Sequence, residues 1–128
     1  MKRLLTAFAL VLGVHSAAWA AEPVPYTDQG FAAAQAASKP ILVHVTAPWC
    51  PTCAQQRPIL SMLEHSPQFA DLVVFNVDFD SQKDLLRRLN VRVQSTLIVY
   101  SGKTEKGRAS GITDADEIKA LLLRVKGS

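Results

Sequence analysis

Apolar and polar positions follow two periods along this chain, and the switches between them mark its elements. Ile41-Leu42-Val43-His44-Val45-Thr46 is a β-branched run of strand length, apolar on both faces apart from His44. Such a run suits a central strand covered by helices on each side. Leu72 to Val77 reads as a second buried strand and Thr96 to Tyr100 as a third. Ser101-Gly102-Lys103 makes a tight turn into a short strand from about Lys106 to Ser110, which completes a hairpin. The intervening segments are helical in spacing. Asp28 caps an alanine-rich helix that runs through about Ala37 and is interrupted at Lys39-Pro40. A second helix begins within Cys50-Pro51-Thr52-Cys53 and runs to about His65, bent at Pro58. Asp80 or Ser81 caps a third, which ends near Leu89 with Asn90 as a left-handed stop. After the break at Gly111, Thr113 with Asp116 or Glu117 starts a last helix, whose Ile118, Leu121, Leu122 and Val125 share one face. The order is helix, strand, helix, strand, helix, strand, strand, helix. It joins a parallel βαβ half to an antiparallel ββα half, an α/β fold with helices on both faces of a central mixed sheet.

The first twenty residues break this pattern. Lys2 and Arg3 give a short positive start, Leu4 to Val14 run apolar except for Thr6 and Gly13, and Ala18-Trp19-Ala20 places small residues where a signal peptidase reads. The apolar run is short of the about 20 residues a spanning helix needs. Residues 1–20 are therefore expected to be a signal peptide cut after Ala20, leaving one domain, 21–128, on the far side of the membrane. An uncleaved anchor would leave the domain on the same side. The formal charge of +3 changes accordingly: of 14 Lys and Arg, Lys2 and Arg3 leave with the leader, so 12 basic residues face 11 acidic ones. A domain so close to neutral gives no reason to expect nucleic acid or an anionic membrane as partner, and a monomer is the default expectation.

Both cysteines lie in one Cys-x-x-Cys unit. As a structural staple, Cys50 and Cys53 would close a ring containing only Pro51 and Thr52, which contributes little chain entropy. As a zinc site they would need two more ligands, and beyond the leader the histidines are His44 and His65 alone. Redox chemistry is the favoured reading.

The segment Val43 to Pro58, V-H-V-T-A-P-W-C-P-T-C-A-Q-Q-R-P, resembles the active-site strand and helix of the thioredoxin family, including Trp49 before the first cysteine and Pro58 five residues after the second. Phe75-Asn76-Val77-Asp78, Leu89-Asn90-Val91-Arg92, Thr96-Leu97-Ile98-Val99-Tyr100 and Gly111 follow in the family's order and spacing, so the resemblance spans nearly all of residues 21–128. It implies the thioredoxin fold, a redox-active Cys50–Cys53 disulfide, and a substrate groove at Gln94, Thr96 and Gly111. Trp49 would then join an apolar platform for the partner, or simply fill a gap under the loop.

Physics gives the two cysteines different tasks. Cys50 precedes a helix, where unpaired N–H groups and the dipole stabilise a thiolate, and it is expected to be the exposed nucleophile. Cys53, a turn deeper, would attack the mixed disulfide and release the product. Pro51 suits the first helical turn because it lacks the N–H that would be orphaned there. Pro51-Thr52 tunes the potential, and Cys-Pro-Thr-Cys resembles the quartet of the reducing thioredoxins of cytochrome c maturation, which leans the reading toward a reductase rather than an oxidase or isomerase.

Three departures from the family stand out. His44 occupies the position, six before the first cysteine, where thioredoxins often carry a buried acid, so it is either a proton shuttle for Cys53 or a neutral core histidine with one satisfied hydrogen bond. Val74 replaces the lysine that often partners that acid. Ser95 stands where the family places a cis-proline. A cis bond before a non-proline costs about 2.5–4 kcal/mol, so a trans peptide, or a strained cis one, is expected at Gln94-Ser95. The Ser95 hydroxyl would tune the site by bonding a thiolate, or stand as an ordinary polar loop residue, while Gln94 still pairs with a substrate strand.

Two functions compete. One is a thiol–disulfide oxidoreductase with no dissociable cofactor, acting on protein disulfides or dithiols in the periplasm and, as a reductase, fed by a membrane thiol carrier. The other is a docking or binding module in which the thiolates, with His44 or Ser95, hold copper(I), zinc or a shared cluster.

Overall fold

The computed structural model describes residues 22–126, so the expected signal peptide lies outside the described residues. Strand β2 (Pro40–Thr46) is the axis of the molecule. Residues Ile41 to Val45 of β2 are all buried, and the strand is hydrogen-bonded along both edges: parallel to β3 (Val73–Asp78) on one side and antiparallel to β4 (Thr96–Ser101) on the other. β5 (Thr104–Ser110) pairs antiparallel with β4 through a turn at Gly102, whose φ of +56° falls where a side chain would be strained. The sheet order is β1-β3-β2-β4-β5. The outermost β1 (Val24–Pro25) lies parallel to β3, and two residues of Pro-rich sequence gave no strand signal.

Alternation along β2 divides the core. Ile41, Val43 and Val45 face α1 (Asp28–Ala36) and α3 (Lys83–Arg88), packing with Ala34, Leu85 and Leu86. Leu42 faces α2 (Pro51–Glu64) and α4 (Ala115–Leu123), packing with Leu60, Leu63, Ile118, Leu121 and Leu122. His44 shares the parity of Leu42 and so points to the second layer, the one that carries the cysteines. Tyr26, Phe31, Phe75 and Tyr100 form an edge-packed aromatic group in the first layer.

Helix starts are where local signals misled. Thr27, not Asp28, caps α1, its hydroxyl accepting the Gly30 N–H at 3.0 Å. Neither Asp80 nor Ser81 caps α3, which begins after Gln82 without a side-chain cap. Asp114, not Thr113, caps α4, its carboxylate accepting the N–H groups of Asp116 and Glu117 at 3.0 Å each. Several hydroxyl and carboxylate residues adjoin each start, and tertiary packing chooses among them. Asn90 does adopt the left-handed conformation, at φ +56°, after α3. Replacing a carboxylate that accepts two orphan N–H groups costs about 1 kcal/mol. Asp114→Ala is accordingly expected to lower stability by about that amount in urea unfolding, while Thr113→Ala stays within about 0.5 kcal/mol of the parent.

Candidate active site

β2 ends at Thr46, and the chain turns through Ala47, Pro48 and Trp49 into α2. Cys50 is the residue immediately before the helix, extended at φ −84° and ψ 110°, with Pro51 opening the first turn. Its Sγ accepts the backbone N–H of Cys53 at 3.1 Å, the role a serine or aspartate plays at other helix starts. Cys50 and Cys53 form a disulfide, their Cα atoms 5.3 Å apart.

Cys50 is 1 % exposed and Cys53 fully enclosed, beside Ala47 and Phe79. The expectation of an exposed first sulfur is thus corrected: in the disulfide form both are buried, and their places at the helix start, not their exposure, distinguish them. Trp49 is 57 % exposed, so it is not filler under the loop. Its ring stands edge-on to Phe79 with centroids 6.3 Å apart, and its Nε1–H donates to the Asp80 carboxylate at 2.8 Å. Asp80 therefore holds the tryptophan rather than a helix. Arg57 fastens α2 to the end of β2, donating to Thr46 Oγ1 and the Ala47 carbonyl at 3.2 Å each.

The loop before β4 faces the same side of α2. Gln94–Ser95 is trans, and Ser95 takes φ +57°, a left-handed conformation uncommon outside glycine, asparagine and aspartate. Two donors hold its carbonyl: the Gly111 N–H at 3.0 Å and the Gln56 side-chain amide at 3.1 Å. Its hydroxyl donates to the Gln94 carbonyl at 2.6 Å, so it is spent on its own loop and bonds no sulfur. Thr96 Oγ1 bonds the Val93 carbonyl and the Ser110 hydroxyl, and Gly111 lies at φ +73°. Gln94 and Thr52 are half-buried and Pro51 exposed. The structure thus brings together His44 and Ser95 through Gln56, a residue that sequence reading passed over. Its signal was a polar side chain one turn after Cys53, on the helix side that otherwise carries Cys53, Leu60 and Leu63.

His44 is buried, its Nε2 3.1 Å from Gln56 Oε1. Burial lowers its pKa to about 4, the Gln56 bond opposing and the Arg57 charge adding, so the ring is neutral at pH 7. Val74, buried in the same layer, supplies no counter-charge. A cleft of about 220 Å³ is lined by His44, Thr46, Arg57, Glu64, His65 and Asn76, among others. Glu64 is 3 % exposed, and burial raises its pKa to about 7, with nearby His65 lowering it and Glu22 raising it. Among the described residues no three His, Cys, Asp or Glu side chains gather as metal ligands.

His44 and Glu64 act oppositely on stability. Below pH 6.5 the unfolded chain protonates His44 while the folded one does not until about pH 4, so this group costs stability as pH falls through that window. Folded Glu64 keeps its proton up to about pH 7 while the unfolded chain loses it near 4.5, so this group costs stability as pH rises through that window. Glu64→Gln is therefore expected to gain on the parent protein between pH 4.5 and 7 by about 2–3 kcal/mol and to hold that lead above pH 7, measured by urea unfolding at fixed pH values.

Comparison with known proteins bears on the whole domain. The Thioredoxin family model matches residues 22–124. A thioredoxin H-type from Brassica campestris is 30% identical over 92 residues, 72% of each chain. Among solved structures, Trxlp from Edwardsiella tarda EIB202 is 42% identical with a TM-score of 0.77, covering 79% of this chain and 98% of that one. Thioredoxin O1 from Arabidopsis thaliana, in its oxidized state, is 28% identical with a TM-score of 0.65, covering 78% and 92%. With a five-stranded mixed sheet, four flanking helices and a cysteine pair bridged at the start of α2, this chain belongs to the thioredoxin family and is a thiol–disulfide oxidoreductase.

Proposed function

We propose that the protein is an exported reductase of protein disulfides, with Cys50 as nucleophile and Cys53 as resolving thiol. One observation carries the assignment of roles: Cys50 Sγ receives the Cys53 N–H at the opening turn of α2. In the dithiol form that donor and the helix dipole stabilise a thiolate on Cys50, as at other helix N-termini. The Cys50 thiolate attacks a substrate disulfide, one substrate thiolate leaves, and a mixed disulfide forms. The Cys53 thiolate then attacks Cys50 Sγ and expels the second substrate thiolate. Two electrons have passed to the substrate, and the protein is left as the Cys50–Cys53 disulfide.

Support for the direction is chemical. Pro51-Thr52 between the cysteines resembles the reducing quartet, and export, argued from residues 1–20, would put the domain beyond cytosolic reductants. A membrane thiol carrier would return the electrons, and a single domain with a near-neutral charge suits a monomer in the periplasm. Against the rival metal-binding reading, His44 Nε2 is engaged with Gln56 and the Ser95 hydroxyl with Gln94.

With dithiothreitol as reductant the purified domain is expected to accelerate the turbidity of insulin, and Cys50→Ser to abolish the acceleration. Equilibration against glutathione is expected to place the potential near thioredoxin's about −270 mV, and a value near −120 mV would make the protein an oxidant instead. In a bacterial host the secreted form is expected to begin at Ala21.

A further inference from the structure

Gln56 is fully enclosed, one helical turn past Cys53, and every polar atom of its side chain has a partner. Nε2 donates to the Ser95 carbonyl at 3.1 Å and to the Ile112 carbonyl at 2.9 Å. Oε1 lies 3.1 Å from His44 Nε2. Carbonyl oxygens only accept, so two of them facing Nε2 fix which end of the amide is nitrogen. Oε1 is then an acceptor only, and His44 Nε2 must carry the hydrogen between them. A neutral imidazole with hydrogen on Nε2 has its lone pair on Nδ1, which has no hydrogen-bond partner among the described residues.

Nothing in the ordinary needs of a helix calls for this residue. A leucine would serve the core at that position, and an amide enclosed without partners would be costly. The amide instead spans three elements: β2 through His44, the loop before β4 through Ser95, and the segment before α4 through Ile112. Its donors help hold Ser95 in a left-handed conformation, at the position where a proline ring is absent.

We propose that Gln56 is the positioning residue of this active site: its NH₂ group sets the substrate-groove loop by gripping Ser95 and Ile112, and its oxygen sets the tautomer of His44. The proposal rests on disulfide exchange at Cys50 and Cys53. It implies that proton uptake by His44 occurs at Nδ1 and leaves the Nε2–H bond to Gln56 intact, so the groove keeps its shape whichever charge state the ring holds. The titratable and charged groups lining the same cleft are Arg57 and Glu64 of α2, His65 just after it and Glu22 of the leading segment; β3 contributes the neutral Asn76 and β4 faces the ring with Leu97.

The test uses the whole mature protein. Nitrogen-15 NMR at pH 7 is expected to show His44 with hydrogen on Nε2, and the Gln56 side-chain amide protons slowed in exchange. Hydrogen on Nδ1, or freely exchanging amide protons, overturns the proposal without reference to any variant. Gln56→Met keeps the volume and removes both grips. It is expected to raise the KM for a protein disulfide by about tenfold, the order of one lost buried hydrogen bond, with kcat changed less than about threefold. His44 should then populate both tautomers, while iodoacetamide alkylates reduced Cys50 at the parent rate. A folded Gln56→Met protein with unchanged KM and tautomer sinks the positioning role. An inert Cys50 in the parent itself sinks instead the exchange reading on which the role depends, and the two failures are thereby told apart.

Discussion

The rest of the molecule depends on β2 being enclosed on both faces and paired on both edges. A strand in that position cannot fray, shift register or tilt without breaking two hydrogen-bond ladders and emptying two apolar layers. Its carboxyl end is therefore a fixed point. The chain that leaves it has only Ala47, Pro48 and Trp49 before Cys50 at the threshold of α2, so the first sulfur is delivered to the helix start by the rigidity of the strand behind it. Arg57 adds a second constraint, reaching back from α2 to Thr46 and Ala47 and tying helix to strand end. Helix dipole and orphan N–H groups would be of little use to a sulfur on a mobile loop. Here their direction is set by the core.

The enclosed strand also explains how an imidazole can stand in the middle of it. His44 has a neutral ring, a hydrogen-bond partner in Gln56 and a buried place in the sheet, and these three facts agree with one another. Burial makes neutrality the lower-energy state, and the nearby Arg57 cation favours it further. Ionisable character is displaced to the far end of α2, where Glu64 is held protonated to about neutral pH in the same cleft. The layer under the cysteines therefore contains polar groups but little net charge near pH 7.

Much of this was legible in the sequence because the strongest signals were long. A six-residue run that is apolar but for His44 and Thr46, flanked by turns, specifies a central strand, and Ile118, Leu121 and Leu122 specify the buried face of α4. The Cys-x-x-Cys unit following β2 placed the site. Short-range signals fared worse. Asp28, Asp80 and Thr113 are each acceptable helix caps by chemistry, yet Thr27 and Asp114 cap their helices, α3 has no side-chain cap, and Asp80 instead receives the Trp49 indole. Burial of Cys50 was missed for a related reason: position before a helix says how the backbone points, and packing against Ala47 and Phe79 decides how much of the sulfur meets water.

Gln56 is the instructive omission. Read along the chain, it is one polar residue in Ala54-Gln55-Gln56-Arg57, and only its helical spacing from Cys53, Leu60 and Leu63 separates it from the exposed Gln55 beside it. Its partners lie 12, 39 and 56 residues away, and each is unremarkable alone: a histidine in a strand and two backbone carbonyls. Only their convergence gives the amide a reason to be buried. The serine at position 95 and the histidine at position 44 looked like two separate departures from a family pattern. One side chain touches both, and a single enclosed amide satisfies the donor of one and the acceptor of the other. Their compatibility is then a matter of hydrogen-bond valence: with a carboxylate at position 44, the same amide could not keep its nitrogen on both carbonyls and still offer a donor to the acid.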